Sequence, residues 1–366
     1  PESPRALHGR ARNDRTGLMA DLAIQRDVPL APLTTLELGG SARFFVRAAD
    51  SATLRLALRW AREQEHSVAI MGGGSNLVVP DSGFDGLVVH MGLSDIAFDE
   101  DGTVAVGAGV PWELVVDGAV TRGWAGLECL TGIPGSTGAT PIQNVGAYGQ
   151  EVAEVLDEVI ALNRRTLELE RMTATDCAFG YRDSVFKREP DRYVVCGVRF
   201  RLRPGGAPTV RYGELVRAVP SSPSLGDVRS AVLDLRRRKS MVIDPDDPNR
   251  RSAGSFFLNP VVSAADARRV VEQALAEGMA STETEIPQYP AGESGVKLAA
   301  GWLIERAGIA KGFRRGNVGV SSRHALALVH HGGGTTAELL ALADEVRTRV
   351  QDRFGITLDQ EPRVLA

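Results

Sequence analysis

Hydrophobic residues recur at helical spacing in five segments of this chain, and most of these segments carry terminal signals for a helix. The first begins after Asp50 and places its apolar positions at Leu54, Ala57, Leu58 and Ala61. Pro111 and Gly123 bound a shorter helix, because proline suits a first turn and glycine suits the residue after the last. Three further amphipathic helices are predicted at 226–240, 294–309 and 334–356.

Short apolar runs between these helices predict β-strands. The runs occupy 67–79, 86–91, 103–110, 157–163, 168–174 and 192–202. Strands that alternate with short helices indicate an α+β or mixed α/β protein. Glycine- and proline-rich breaks at 203–208 and 219–227 precede a section with its own helices, about 225–355, which is long enough to form a separate domain.

Composition excludes several classes of protein. The chain has 366 residues, a net charge of −4 and 5% aromatic residues, so we expect no nucleic-acid partner. The three cysteines are scattered and the six histidines form no metal-binding pattern. We therefore expect no metal and a reducing compartment, the cytoplasm. No apolar run is long enough to cross a membrane. Residues 1–26 are arginine-rich, lack the apolar segment of a signal peptide and are expected to form a flexible tail.

Two uncharged, glycine-rich stretches raise the question of a ligand. MGGGSNL occupies 71–77, and LTGIPGSTGATPIQNVGAYGQ occupies 130–150. Neither has the GxGxxG spacing of a Rossmann dinucleotide site, and the chain contains no GxxxxGK[ST] phosphate loop. Each stretch alone is compatible with an ordinary turn or surface loop. Together they favour a site where backbone N–H groups surround a bulky polar ligand such as a pyrophosphate.

Three further motifs follow these stretches: FGYRDSVFK at 179–187, AGSFFLNP at 253–260 and VKLAAGWLIERAG at 296–308. In this order the five motifs resemble the UDP-N-acetylenolpyruvoylglucosamine reductase family, the FAD enzymes of bacterial cell-wall precursor synthesis. The similarity runs from about Pro29 to the C-terminus. It implies an α+β fold in which a two-lobed FAD-binding domain of the vanillyl-alcohol-oxidase type is joined to a smaller α+β substrate-binding domain.

The resemblance also implies domain limits. The FAD-binding domain would occupy 27–218, with its two lobes divided near residue 91. The substrate-binding domain would occupy 219–355. A C-terminal segment, 356–366, would return to the active-site cleft.

The implied cofactor contacts lie in both glycine-rich stretches and near the C-terminus. They are Gly72, Gly73, Gly74, Ser75, Asn76, Thr131, Gly132, Ile133, Pro134, Gly135, Gly138, Gln143, Asn144, Gly146, Ala147 and Arg363. The two stretches contain neither histidine nor cysteine, so we expect FAD to be bound non-covalently. NADPH is the reductant that the resemblance implies, and it would use the same cleft as the sugar nucleotide in turn. No residue is assigned to its 2′-phosphate.

The implied reaction reduces the enolpyruvyl C=C bond of UDP-N-acetylglucosamine enolpyruvate and leaves an enolate, which needs a proton and charge stabilisation. By resemblance, Ser255 donates the proton, while Arg182 and Glu361 stabilise the enolate. Each residue also has an ordinary interpretation. Ser255 fits a turn or cap, Arg182 fits a surface salt bridge, and an acid near the C-terminus is unremarkable.

The same resemblance assigns seven substrate-binding residues: Tyr148, Tyr181, Tyr212, Arg236, Lys239, Asn259 and Lys297. Arg236 and Lys239 lie three residues apart and would share one helical face, which offers cations to the UDP group. Tyr212 would close over bound substrate. A solvated basic helix end and packed tyrosines are the alternatives. We expect the protein to act as a monomer.

Two other functions remain open at this stage. The first is an oxidase of small alcohols or lactones on the same flavin scaffold. The second is a binding module without catalysis, which would not require Ser255, Arg182 and Glu361 to converge. Separation of these three residues, or an exposed Ser255 remote from both glycine-rich stretches, would exclude the proposed mechanism.

Overall fold

The computed structural model describes residues 22–292 and 295–366. Its helices are α1 (Ser51–Glu63), α2 (Trp112–Thr121), α3 (Ala174–Cys177), α4 (Val185–Arg188), α5 (Gly213–Val216), α6 (Leu225–Arg238), α7 (Ala264–Ala276), α8 (Ala300–Arg306) and α9 (Thr336–Phe354). Its strands are β1 (Gln25–Pro29), β2 (Ser41–Ala48), β3 (Ser67–Met71), β4 (Leu77–Val78), β5 (Phe84–Met91), β6 (Ile96–Phe98), β7 (Thr103–Gly107), β8 (Trp124–Ala125), β9 (Gly146–Ala147), β10 (Gln150–Glu151), β11 (Leu156–Asn163), β12 (Leu169–Thr173), β13 (Tyr193–Arg201), β14 (Arg203–Pro204), β15 (Val261–Ser263), β16 (Gln288–Ala291), β17 (Gly295–Leu298), β18 (Arg314–Arg315), β19 (Val318–Val320), β20 (Leu328–His330) and β21 (Arg363–Val364).

The first lobe is a four-stranded sheet in the order β1-β2-β5-β3, antiparallel between β1 and β2 and parallel elsewhere. Helix α1 connects β2 to β3 and buries its predicted apolar face in the same core as Phe44 and Val46 of β2. The Asp50 carboxylate caps this helix by accepting a hydrogen bond from the Thr53 N–H at 2.7 Å. Sheet and helix together position the first glycine-rich stretch, which follows β3 directly.

The second lobe is a five-stranded antiparallel sheet in the order β12-β11-β13-β7-β6. Helix α2 packs within this lobe, where the Trp112 ring meets Phe200 edge-on with ring centroids 5.8 Å apart. The indole N–H of Trp112 donates a hydrogen bond to the Leu130 carbonyl at 2.9 Å. This contact attaches the start of the second glycine-rich stretch to the core.

The third core is built from α7, α8 and α9 together with the three-stranded sheets β15-β17-β16 and β18-β19-β20. One face of α9 is buried, as its periodicity predicted, through Leu339, Leu342, Val346, Val350 and Phe354. Leu36, Leu38 and Val78 of the first lobe belong to the same cluster, so the third core packs against that lobe.

Helix α6 lies with the second lobe rather than with the third core. Its side chains Val228, Val232 and Leu235 form one cluster with Cys129 and Leu215. The third core itself begins near Ala253. The cores thus place α6 outside the third core, although the expected substrate-binding domain, 219–355, includes it. The amphipathic face of a helix does not specify which surface will cover it.

Lys297 does not lie on a helix, which corrects the prediction of a helix over 294–309. Lys297 belongs to β17, where its Cα is paired with those of Val261 and Tyr289 on the two flanking strands. Helix α8 covers only seven residues. The apolar residues 296–304 fit a helical period, but pairing on both edges with distant strands decides for β structure in its first part.

The last residues of the expected flexible tail, 1–26, are part of the folded structure. Most of the tail, residues 1–21, lies outside the described residues. Leu22 is buried in the core that the two lobes share, and β1, which starts at Gln25, pairs with β2. The last part of the expected tail is therefore ordered.

The C-terminal segment connects the third core to the first lobe. Ile356 and Leu358 are buried in the third core, whereas Leu365 is buried in the first lobe. Between them, β21 pairs in parallel with β4, which directly follows the first glycine-rich stretch. Glu361 consequently lies where these two parts of the molecule meet.

Candidate active site

A cavity of about 280 Å³ lies where the two lobes, the third core and the C-terminal segment meet. Eleven of the residues predicted for the site line it: Ser75, Asn76, Ile133, Pro134, Gln143, Gly146, Ala147, Arg182, Arg236, Ser255 and Glu361. Ser255 is half-buried and shares this cavity with both glycine-rich stretches. The structure therefore shows neither a separation of Ser255, Arg182 and Glu361 nor an exposed Ser255 remote from both stretches.

The two glycine-rich stretches touch each other at the cavity wall. A Cβ on Gly72 would overlap the Ser136 hydroxyl, and a Cβ on Gly73 would lie 2.9 Å from the Gly135 Cα. The Ser75 hydroxyl donates a hydrogen bond to the Pro134 carbonyl at 2.9 Å. These glycines are required by the close approach of two backbones, which larger side chains would prevent.

Several backbone donors of the first stretch remain available to a ligand. Within the described residues, the N–H groups of Gly73, Gly74 and Ser75 donate to no other protein group. The Arg236 side chain is buried, and its Nε–H also lacks a partner. Gly74 and Arg236 are buried, and buried donors are normally paired, so these donors are suited to an anionic ligand such as a pyrophosphate.

Glu113 on α2 holds the beginning of the second glycine-rich stretch. Its carboxylate accepts hydrogen bonds from the Thr131 hydroxyl at 2.8 Å and from the Gly132 N–H at 2.6 Å. Arg229 on α6 donates to the same carboxylate at 2.8 Å. Thr131 and Gly132 thus face Glu113 and not the cavity. No local pattern singled out Glu113, because its partners lie up to 116 residues away.

We expect Glu113→Gln to weaken flavin retention while the protein stays folded. Both carboxylate oxygens of Glu113 accept hydrogen bonds, whereas the glutamine amide has only one oxygen. Its NH2 group would face a donor, so at least one hydrogen bond would be lost and the second glycine-rich stretch would be held less firmly. Titration of the apoprotein with FAD should show a Kd raised by about 5- to 20-fold. Glu63→Gln, an exposed substitution on α1, is the matched control. An unchanged Kd for Glu113→Gln would show that the hydrogen bonds to Glu113 do not influence the flavin site.

Arg182 and Glu361 lie next to each other at the cavity wall. The Arg182 Nε lies 3.5 Å from Glu361 Oε1. Arg182 also donates hydrogen bonds to the backbone carbonyls of Asn144 and Gly146 in the second glycine-rich stretch. Its backbone has a φ of +53°, which is uncommon for a residue with a side chain and marks a position held by its surroundings. Burial raises the pKa of the Glu361 carboxyl, and Arg182 and Lys187 oppose this effect.

Ser255 is held next to Glu361 by the backbone. The Glu361 N–H donates to the Phe256 carbonyl at 2.9 Å. The Ser255 hydroxyl lies 3.3 Å from His324 Nε2, and this is its one hydrogen bond within the described part of the chain. Burial, together with Lys239, Arg236 and Lys311, lowers the pKa of His324 to about 4, so its imidazole is neutral at pH 7.

Two groups of aromatic and cationic side chains lie outside the cavity lining. In the first, Tyr148 and Tyr212 pack edge-on with centroids 5.5 Å apart, and Lys239 lies 5.9 Å from the Tyr148 ring. Lys239 is also paired with Glu214 at 2.6 Å. Burial raises the pKa of Tyr148 to about 12.

The second group contains Lys297, whose Nζ lies 4.4 Å from the Tyr181 ring centroid and 5.9 Å from that of Tyr289. The Asn259 side chain lies nearby in sequence to β15 and accepts a hydrogen bond from the Ala300 N–H at 2.9 Å. Tyr181 and Tyr212 are more than one third exposed, as expected of side chains that would meet a ligand from solvent.

Four further predicted residues make contacts with other parts of the protein, and at Gly74 this applies to the Cα and not to the N–H group. The Asn144 side chain bonds to Glu151, Gly180 and Ala153. A Cβ on Gly138 would meet Ala108 of the second lobe. Gly74 adopts a φ of +64° and lies against Leu33. Arg363 is exposed, and its N–H donates to the Asn76 carbonyl at 3.0 Å. We propose that these four residues contribute to cofactor binding indirectly, by holding the two glycine-rich stretches in position.

Several lining residues were not predicted from the sequence: Thr35, Trp112, Ser136, Ala139, Thr140, Val145, Ser240, Met241, Val242, Ile243, Arg250, Ser252, Ala253 and Gly254. Some directly flank quoted motifs and could have been included with them. Thr35 and Arg250 lie in segments with no local signal for a site. His324 had one weak signal, a histidine at the start of an apolar run.

No group of histidine, cysteine and acidic residues suited to a metal ion occurs in the described ranges. Among the described helices, none combines the length and apolar character needed to span a bilayer.

Comparisons with known proteins agree with this geometry. The family model described as UDP-N-acetylenolpyruvoylglucosamine reductase, C-terminal domain, matches residues 246–365, and the model described as FAD binding domain matches residues 42–164. The UDP-N-acetylenolpyruvoylglucosamine reductase of Thermobifida fusca is 48% identical over 346 residues, which are 92% of this chain and 96% of that protein. That of Streptomyces coelicolor is 45% identical over 342 residues, or 92% and 88% of the two chains. The crystal structure of the Thermus caldophilus reductase matches with a TM-score of 0.64 at 26% identity and covers 94% of this chain and 99% of that one.

Proposed function

Because this chain belongs to the UDP-N-acetylenolpyruvoylglucosamine reductase family, we propose that it reduces UDP-N-acetylglucosamine enolpyruvate to UDP-N-acetylmuramate for peptidoglycan synthesis, with NADPH as reductant. The family assignment, the α+β fold with an FAD-binding domain and the identification as an FAD-dependent oxidoreductase are confirmed predictions. The observation that carries the proposal is the meeting of Ser255, Arg182 and Glu361 at one cavity walled by both glycine-rich stretches.

The residues at and next to the cavity wall fit FAD. Unpartnered N–H groups at Gly73, Gly74 and Ser75 suit the pyrophosphate, and the neutral wall around Ile133 and Pro134 suits an aromatic ring system. Neither stretch offers a cysteine or histidine, which supports non-covalent binding. When bound and reduced, this cofactor supplies a hydride to the alkene carbon.

The side chains around the cavity would then complete the reduction. Arg182 provides a planar set of N–H donors for the substrate carboxylate and is itself fixed by two backbone carbonyls. Burial raises the pKa of Glu361, and in its protonated form the carboxyl would donate a hydrogen bond to the same carboxylate as negative charge develops there. Ser255 would give its hydroxyl proton to the carbon next to the carboxylate. An alcohol is acidic enough for this step because an enolate carbon is strongly basic.

The UDP group would bind through Arg236 and through the two groups of cations and tyrosines outside the cavity lining. Arg236 lines the cavity, while Lys239 and Lys297 each lie against a tyrosine ring. Tyr212, half-exposed beside Tyr148, would cover the bound sugar nucleotide. The described chain has three free, buried cysteines, which supports a reducing compartment and the proposed location in the cytoplasm. A monomeric state and the lack of a nucleic-acid partner remain predictions.

The first experiment is an absorbance spectrum of the purified protein under anaerobic conditions. We expect a flavin band that bleaches on addition of NADPH and returns on addition of UDP-N-acetylglucosamine enolpyruvate. Recovery with oxygen but not with the sugar nucleotide would contradict the proposed substrate and favour an oxidase on the same scaffold. A protein that binds flavin but is not reduced by NADPH would exclude the proposed reductant.

A further inference from the structure

His324 is a half-buried, neutral side chain that the proposed mechanism does not use, although it makes the one hydrogen bond of the Ser255 hydroxyl within the described residues. It lies in the connection between β19 and β20. Two backbone hydrogen bonds hold that connection against the Ser255 segment and in a turn: Phe256 N–H to the Leu326 carbonyl at 2.7 Å, and Ala327 N–H to the His324 carbonyl at 3.1 Å. The imidazole and the hydroxyl are therefore fixed relative to each other.

The direction of this hydrogen bond decides whether Ser255 can be a proton donor. If His324 Nε2 accepted the bond, the serine hydrogen would point at the imidazole and away from the cavity. If Nε2–H donates to the serine oxygen, the hydroxyl hydrogen is free to face the substrate. A neutral imidazole allows either tautomer. The surrounding cations Lys239, Arg236 and Lys311 favour a serine oxygen that carries developing negative charge.

We propose that His324 is a positioning residue, whose Nε2–H donates a hydrogen bond to Ser255 Oγ, directs the serine proton into the cavity and stabilises the oxygen after that proton has left. In the step itself, the Ser255 O–H bond breaks and a C–H bond forms at the carbon next to the substrate carboxylate. The electron pair of the O–H bond stays on the serine oxygen, which then takes a proton from solvent water. This inference rests on the proposed function.

The test uses the holoenzyme and separates its two half-reactions by stopped-flow absorbance. We expect His324→Leu to slow reoxidation of the reduced flavin by the enolpyruvyl substrate by about 10- to 100-fold at saturating substrate. Reduction by NADPH should change by less than about 2-fold, because no proton from Ser255 is needed there. His324→Gln, which places an amide N–H near the position of Nε2, should recover most of the rate.

Two controls distinguish positioning from a merely structural effect. His331→Leu removes a half-buried histidine whose Nε2 has no partner within the described residues, and it should leave both half-reactions unchanged. In a Ser255→Ala background, His324→Leu should cause no further slowing, because the two residues would act as one unit.

Three outcomes would overturn the inference: independent, multiplicative losses in the double variant, an effect confined to the Kd of the substrate, or equal slowing of both half-reactions. If wild-type reduced flavin is not reoxidised by the sugar nucleotide, the proposed function itself fails. If the wild type reacts and His324→Leu is as fast, only the role of His324 fails.

Discussion

Replacing Ser255 with alanine should slow reoxidation of the reduced flavin by the enolpyruvyl substrate by about 10²- to 10⁴-fold, the usual contribution of a positioned general acid. Flavin content and reduction by NADPH should stay near wild-type values, because Ser255 lies on the third-core side of the cavity and its hydroxyl is hydrogen-bonded to His324. Stopped-flow measurement of both half-reactions checks the expectation.

Ser255→Cys is the matched control, since a thiol is a stronger acid than an alcohol and occupies nearly the same volume. It should react much faster than Ser255→Ala. If the alanine variant reoxidises at the wild-type rate, the proton comes from another group or from water. If it loses its flavin instead, Ser255 is a structural residue.

Replacing Glu361 with alanine should slow the same half-reaction by about 10²- to 10³-fold, the effect of removing one preorganised donor from a developing negative charge. Burial holds the pKa of Glu361 above its ordinary value of 4.5, although Arg182 and Lys187 act in the opposite direction. The protonated carboxyl is the form that donates a hydrogen bond to the substrate. The rate should therefore fall as the pH rises through this pKa, and pH profiles of the half-reaction measure it.

Glu361→Gln tests the protonation state directly, because an amide is a neutral donor at every pH. It should retain more activity than Glu361→Ala and should lack the decline that the wild type shows with rising pH. If glutamine is as damaging as alanine, the ionised carboxylate is needed, and its function would be to orient Arg182 through the 3.5 Å contact.

Local sequence signals determined a large part of the fold. The capping carboxylate of Asp50 and the apolar period of α1 specify that helix without help from the rest of the chain. The same holds for α9, where Thr335 and Glu338 form a capping box. The glycines at 72–74 were recognisable because residues without a side chain are needed wherever two backbones approach closely.

The family resemblance led to the proposal of Ser255, Arg182 and Glu361, which neither periodicity nor composition would have selected. Each has an ordinary interpretation in its local context. Their chemistry depends on a cavity to which segments from both lobes, the third core and the C-terminus contribute.

Tertiary structure alone decided features that depend on distant partners. Lys297 lies in strand β17 because β15 and β16 pair with the two edges of that strand, although the residues around Lys297 have a helical period. Helix α6 was assigned to the second lobe by the apolar surface around Cys129 and Leu215. Ser255 and His324 lie 69 residues apart, so no local pattern relates them. Sequence patterns describe the local propensity and hydrophobic period of a single segment. The contacts above depend instead on which apolar faces of helices and sheets are buried against each other.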